Sequence, residues 1–137
     1  MTDKATFIPA ASAAVDQFDW GAIGWRSRPA TTGAQQLVTM ETILEPGFGH
    51  DFHVHPRQEE TIVVVDGHIE AWVEEEYRML GPGDAVFIPM NTVHASFNDG
   101  DHPVRLIVSL APCIGDEGYE LVEVHTQTPW RDARANR

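Results

Sequence analysis

An all-β fold, an antiparallel sandwich or barrel in a single domain, is what this sequence predicts, and three observations predict it. Short strand-like runs recur between Gly, Pro, Asn and Asp turn signals. No stretch carries the apolar periodicity of an extended amphipathic helix. The 137 residues make one domain by the ordinary size range, enough to bury roughly two thirds of the surface that the unfolded chain exposes.

The elements follow in order. Residues 1–34, rich in Ala and Gly, form an N-terminal segment that is partly strand, in which Trp20 and Trp25 flank a Gly-containing stretch. Residues 36–44 read as a strand stopped by Pro46-Gly47. In Phe52-His53-Val54-His55 the two imidazoles are two apart, so in an extended segment both leave the backbone on the same face. Pro56 breaks that run, and a strand follows over 60–66. Asp66-Gly67 is expected as a two-residue turn with positive φ at both positions, joining 60–66 to 68–73 as a hairpin. Within 68–73, Ile69, Ala71 and Val73 alternate with Glu70 and Trp72, giving one apolar and one mostly polar face. Glu74-Glu75-Glu76 reads as a solvated hairpin turn. Gly81-Pro82-Gly83-Asp84 turns tightly into a strand over 85–88, and strands over 93–97 and 104–110 are joined by the polar turn 98–101. Residues 119–124 make the last strand, and the tail from Trp130, with Arg131, Arg134 and Arg137, is expected to be solvated. The expected organisation is an N-terminal segment (1–34), a β-barrel domain (35–125) and a C-terminal tail (126–137).

Composition narrows the partners. Nine Lys and Arg stand against 21 Asp and Glu, a formal charge of -12, and such a field opposes approach to phosphate backbones or anionic membranes. Neither nucleic acid nor membrane is an expected partner. The single cysteine, Cys113, forms no internal disulfide, and the N-terminus lacks the basic start and apolar core of a signal peptide. No apolar run is long enough to span a bilayer, so the expected location is the cytoplasm.

The strongest functional statement comes from His53, His55, Glu60 and His94. A lone strand histidine is ordinarily a surface or satisfied core residue. Two at i and i+2, a Glu just past a Pro break and a third His on a separate strand make poor sense as packing, because bare imidazoles and carboxylates are costly to bury unpaired. They make good sense as four ligands closing on one divalent ion. Imidazole and carboxylate without thiolate suit Fe, Mn, Ni, Co, Cu or Zn, and four protein ligands leave open positions on a five- or six-coordinate ion. A structural zinc site would more often carry cysteines.

The flanking residues carry a resemblance. Gly47, His53, His55, Glu60 and Gly67 fall in the order Gly-x5-His-x-His-x4-Glu-x6-Gly, and Gly83, Pro89, His94 and Asn98 in the order Gly-x5-Pro-x-Gly-x2-His-x3-Asn. Both resemble the two motifs of the cupin superfamily, with Asn91 where the second motif usually has Gly. Asn tolerates a left-handed backbone, so the turn is expected to survive. Only 15 residues separate Gly67 from Gly83, as in the compact single-domain members. The resemblance implies a double-stranded β-helix, or jelly roll, holding a metal by His53, His55, Glu60 and His94. It also implies a small-molecule substrate and a homodimer, for which the Trp-bearing N-terminal segment is the expected contact.

The functional expectation is a metal-dependent enzyme acting on a small oxygen-bearing organic molecule. With a redox-active ion the reaction is of dioxygenase type, and with other ions an isomerisation, lyase or decarboxylation step. A non-catalytic ligand-binding or metal-binding module is the alternative. Other residues are read more plainly. His50 and Asp51 read as a surface loop, the alternative being that either supports the ligands or acts as an acid or base, and Asp51 shares parity with His53 and His55 if the strand extends back. Gln58 and Glu59 sit in a solvated turn, with Glu59 the alternative ligand if register slips. Arg105 faces solvent, the alternative being a partner for a substrate carboxylate. Among Trp20, Trp25, Phe48, Trp72 and Phe97, most are expected in the core and the remainder against a pocket.

Overall fold

Alternating apolar residues build the first sheet. The computed structural model describes residues 4–137. Its elements are β1 (Val15–Phe18), β2 (Gly21–Ser27), a short helix α1 (Pro29–Thr32), β3 (Val38–Leu44), β4 (Gly49–Val54), β5 (Glu59–Asp66) and β6 (Ile69–Val73), followed by β7 (Glu76–Leu80), β8 (Ala85–Ile88), β9 (His94–Phe97), β10 (Val104–Ala111), β11 (Val122–Glu123) and a second short helix α2 (Trp130–Ala133). Val38, Met40, Thr42 and Leu44 of β3 and Val104, Leu106, Val108 and Leu110 of β10 are buried, while the residues alternating with them are more exposed. That period of two turns one face inward.

Two antiparallel sheets result, ordered β1-β2-β3-β10-β5-β8 and β11-β4-β9-β6-β7. The fold is the double-stranded jelly roll expected, but as a sandwich of two sheets rather than one closed ring of strands. The inter-sheet core contains Ile23, Trp25, Val64, Ile69 and Ile88 beside the β3 and β10 residues.

The hairpin expected at Asp66-Gly67 does not form. β5 already pairs with β10 on one side and β8 on the other, so it has no free edge for β6. The chain crosses to the second sheet instead, where β6 pairs with β7 and β9. Only Gly67 takes a positive φ, 88°, and a Cβ there would lie 2.9 Å from Val104 Cγ2, so glycine is required on both counts. The hairpin that does form joins β6 to β7 through Glu74-Glu75, with Glu74 at φ 53°. The acidic run is thus the solvated turn expected. Asn91 adopts the left-handed conformation, φ 56°, and its N–H donates to the His55 carbonyl.

The C-terminal tail is not free in solvent. Trp130 and Ala133 pack on a second apolar cluster of Phe52, Val54, Trp72, Val93, Ala95, Phe97 and Val124, on the face of the second sheet opposite its histidines. Beneath the tail lies Glu70, 4% exposed. Arg134 Nε and Arg137 Nε each stand 2.7 Å from its carboxylate, and Trp72 Nε1–H donates to it at 3.0 Å. Burial raises the Glu70 pKa, but Trp72 and the two arginines outweigh it and hold it below the usual value. Arg134 also lies 3.8 Å over the Phe97 ring and pairs with Asp99. The expected polar face of 68–73 is therefore covered, because these arginines supply the counter-charge that lets Glu70 lie under a helix.

Candidate metal centre

The histidines come from the second sheet and the carboxylate from the first, so they meet between the layers. β4 pairs with β9 so that His53 stands directly opposite His94, His55 follows at the end of β4, and Glu60 enters from β5. All four side chains are buried, at 5%, 5%, 6% and 2% exposure for His53, His55, Glu60 and His94. The ligand nitrogens of the three histidines lie within 4.8 Å of one another. Glu60 Oε1 is 2.7 Å from His94 Nε2 and 3.4 Å from His55 Nε2.

Backbone carbonyls set the imidazole tautomers. His53 Nδ1 lies 2.6 Å from the Asp51 carbonyl, His55 Nδ1 2.7 Å from the Glu120 carbonyl, and His94 Nδ1 2.9 Å from the Thr92 carbonyl. A carbonyl only accepts, so each Nδ1 carries the proton and each neutral ring turns a bare Nε2 lone pair inward. Glu60 Oε1 and His94 Nε2 are accordingly buried with no hydrogen-bond partner of acceptable geometry. Acceptors crowded at this distance need a cation between them, and a divalent ion suits three imidazoles and one carboxylate. The donor set therefore fits the metal that the motifs imply.

Electrostatics agree. Burial, with His94 adding to it, lowers the His53 pKa well below the ordinary imidazole value, and burial likewise lowers that of His55. Both rings are neutral and ready to coordinate. Burial also works against the charged form of His94, but Glu60 outweighs it and raises its pKa.

A bulge decides which neighbours join the site. His50 faces Ser96 and His53 faces His94, so β4 advances three residues where β9 advances two. The extra residue reverses the parity. His50, expected on a surface loop, is instead half-buried in the cavity, and Asp51, the residue that shares parity with His53 by count, is exposed. Burial lowers the His50 pKa to about 4.

Gln58, expected in a solvated turn, is 1% exposed. Its Nε2 donates to the carbonyls of Pro112 (2.8 Å) and Gly118 (3.1 Å), and its Oε1 accepts from the Glu120 N–H (3.1 Å). Because the Glu120 carbonyl orients His55, Gln58 supports the site from behind. Its partners lie more than fifty residues away, so no local pattern marks it. Glu59 is exposed, and Arg105 faces solvent, 3.2 Å from Glu41. Of the five aromatic residues considered for a pocket, only Trp20 lines this one; Trp25 is in the inter-sheet core, and Trp72 and Phe97 are in the outer cluster.

Above the four side chains opens a cavity of about 370 Å3, walled by Ile23, Met40, Leu106 and Val108 and by Trp20 and Phe18. Its size and its mixture of apolar walls and one polar end are those of a small-molecule site. Among the described residues no helix is long and apolar enough to cross a membrane.

Comparison with known proteins places this arrangement. The chain is 32% identical over 84 residues to the polyketide synthase CurC of Streptomyces cyaneus, a match covering 61% of this chain and 54% of CurC. It is 32% identical over 60 residues to the quercetin 2,3-dioxygenase of Bacillus subtilis, covering 44% of this chain and 18% of the dioxygenase. The chain thus spans about half the length of the first relative and less than a fifth of the second. The polyketide cyclase RemF of Streptomyces resistomycificus shares the fold, with a TM-score of 0.74 at 18% identity over 95% of this chain and 98% of RemF. The family model of the cupin domain matches residues 40–110, a span that holds both motifs and the whole candidate metal centre, and the chain belongs to the cupin family.

Proposed function

We propose that the chain is a metal-dependent enzyme acting on a small oxygen-bearing organic molecule, with dioxygenation as the leading reaction. The observation that carries the reading is the convergence of three histidine ligand nitrogens within 4.8 Å of one another, with the Glu60 carboxylate 2.7 Å from His94 and both Glu60 Oε1 and His94 Nε2 buried without a hydrogen-bond partner, at the closed end of an open cavity. His53, His55, His94 and Glu60 would hold the ion. A divalent ion there supplies Lewis acidity to a substrate oxygen and, if redox-active, access to O2 chemistry.

The remaining work belongs to the chain. Glu60 contributes the one negative charge of the set and so leaves net positive charge for an oxygen of the substrate. Apolar residues from β2, β3 and β10 exclude water from that end of the cavity, which strengthens every electrostatic interaction there. Similarity to the quercetin dioxygenase supports the oxidative reading. Similarity to CurC supports a second one, redox-free chemistry on a polyketide-type molecule in the same site. A homodimer belongs to the proposal too: β1 is a sheet edge with Val15 exposed, and size-exclusion chromatography tests it.

Elemental analysis of protein purified without an affinity tag should find near-stoichiometric metal. An oxygen electrode with the Fe(II) form should then register uptake with phenolic or diketone substrates. Protein that folds yet takes up no metal overturns the enzyme reading. Metal-loaded protein that consumes no oxygen transfers the weight to the redox-free reading.

A further inference from the structure

Metal binding accounts for one end of the cavity and leaves its walls unexplained. One wall is a run of rings. Phe18 stacks on Trp20 with centroids 4.8 Å apart and planes 6° from parallel. Trp20 meets His50 edge-on at 4.3 Å, and His50 meets His53 edge-on at 6.0 Å. The run leads from the rim, where Phe18 is 46% exposed, to an imidazole that carries one of the inward lone pairs. The bulge in β4 is what inserts His50 into this line, and no described group hydrogen-bonds its ring nitrogens. The lining from β2, β3 and β10 is apolar apart from Thr42.

Charge narrows the occupant further. No Lys or Arg is among the described residues lining the cavity, whereas Asp51, Glu60 and Glu123 are, in a chain of net charge -12. A phosphate or a compact dicarboxylate entering here would find no protein cation and would meet carboxylates instead. A flat conjugated skeleton needs no counter-charge and gains contact area against rings and aliphatic side chains.

We infer that the cavity selects a flat, conjugated, oxygen-bearing molecule of low charge, such as a fused-ring phenol, lying along the Phe18–Trp20–His50 wall with its oxygens toward Glu60. This rests on the metal-dependent reading above. Trp20 sets the preference for extended rings, and His50 offers a ring nitrogen to a substrate oxygen beside the centre.

The test uses the Co(II)-loaded full chain, with visible absorption reporting binding of three oxygen-chelating probes: a vicinal naphthalene diol, catechol and oxalate. The naphthalene diol should bind about tenfold more tightly than catechol, from the second ring's added stacking and buried area, and oxalate should bind least. Trp20→Ala should weaken naphthalene diol binding far more than catechol binding and so abolish most of the preference, while Co(II) content stays at its wild-type value. Trp20→Leu, which keeps apolar bulk without the ring, serves if the Ala variant does not fold. Oxalate binding as tightly as the naphthalene diol, or a preference that survives loss of the indole, overturns the inference and leaves the metal reading standing. A chain that takes up no Co(II), seen by elemental analysis before any probe is added, overturns both.

Discussion

Replacing Gln58 tests whether the candidate centre is held from outside its ligands. The Gln58 amide makes three buried hydrogen bonds, to the carbonyls of Pro112 and Gly118 and from the N–H of Glu120. Gln58→Leu keeps the volume and removes all three, leaving the Pro112 carbonyl and the Glu120 N–H without partners, while the Gly118 carbonyl keeps the Ile114 N–H. At about 1 kcal/mol for each orphaned group, the cost is about 2 kcal/mol, which for a domain of this size lowers Tm by about 7 °C. The second consequence is specific to the site. Glu120 is released at its N–H while its carbonyl orients His55 at 2.7 Å. The bidentate Arg57 pair to its carboxylate, largely exposed, is a weak substitute. Loosening such a support behind a ligand weakens metal binding by about tenfold. Thermal unfolding of the metal-free protein, followed by circular dichroism, reads the first effect, and competition against a chromophoric chelator reads the second. A Gln58→Leu variant with wild-type metal affinity would refute the argument, even if its Tm fell, because the 112–120 segment would then be irrelevant to His55.

Three other outcomes follow from the same geometry. His53→Ala and His94→Ala should each lose stoichiometric metal by elemental analysis and keep the β-sheet circular dichroism signal, since the ion fills a site between sheets that pack on their own apolar core; collapse of either variant would indicate a structural ion. The metal-free protein should lose stability as pH falls from 6.5 toward 4. Over that interval an unfolded His50 binds a proton that the folded His50, with its pKa lowered to about 4, does not, which costs about 3 kcal/mol at the low end. His50→Phe should flatten the slope. Removing both Arg134 and Arg137 as alanines should cost about 3 kcal/mol in urea unfolding by leaving the Glu70 carboxylate buried and uncompensated, and adding Glu70→Gln should restore most of it. No recovery on adding the Gln would place the loss in the packing of α2 rather than in charge.

Much of this protein is written locally. The two glycine- and proline-punctuated motifs, the alternation in residues 38–44 and 104–110 and the i, i+2 spacing of His53 and His55 specify strands, their faces and the family, because a strand's side-chain period is a property of the backbone itself. Asn91 could be read as a left-handed turn residue for the same reason. What local pattern does not contain is which edges remain free and what lies on the far side of a strand. β5 is saturated by β10 and β8, so the turn at Gly67 becomes a crossing between sheets rather than a hairpin. A bulge opposite β9 turns His50 into the cavity and leaves Asp51 exposed at its edge, against their count along the chain. Arg134 and Arg137 find Glu70 across more than sixty residues and close a face that looked solvated, and Gln58 finds its partners across a similar span. Each of these depends on pairing between segments distant in the chain, where burial and the need to satisfy every buried polar group are settled only once both sheets are assembled.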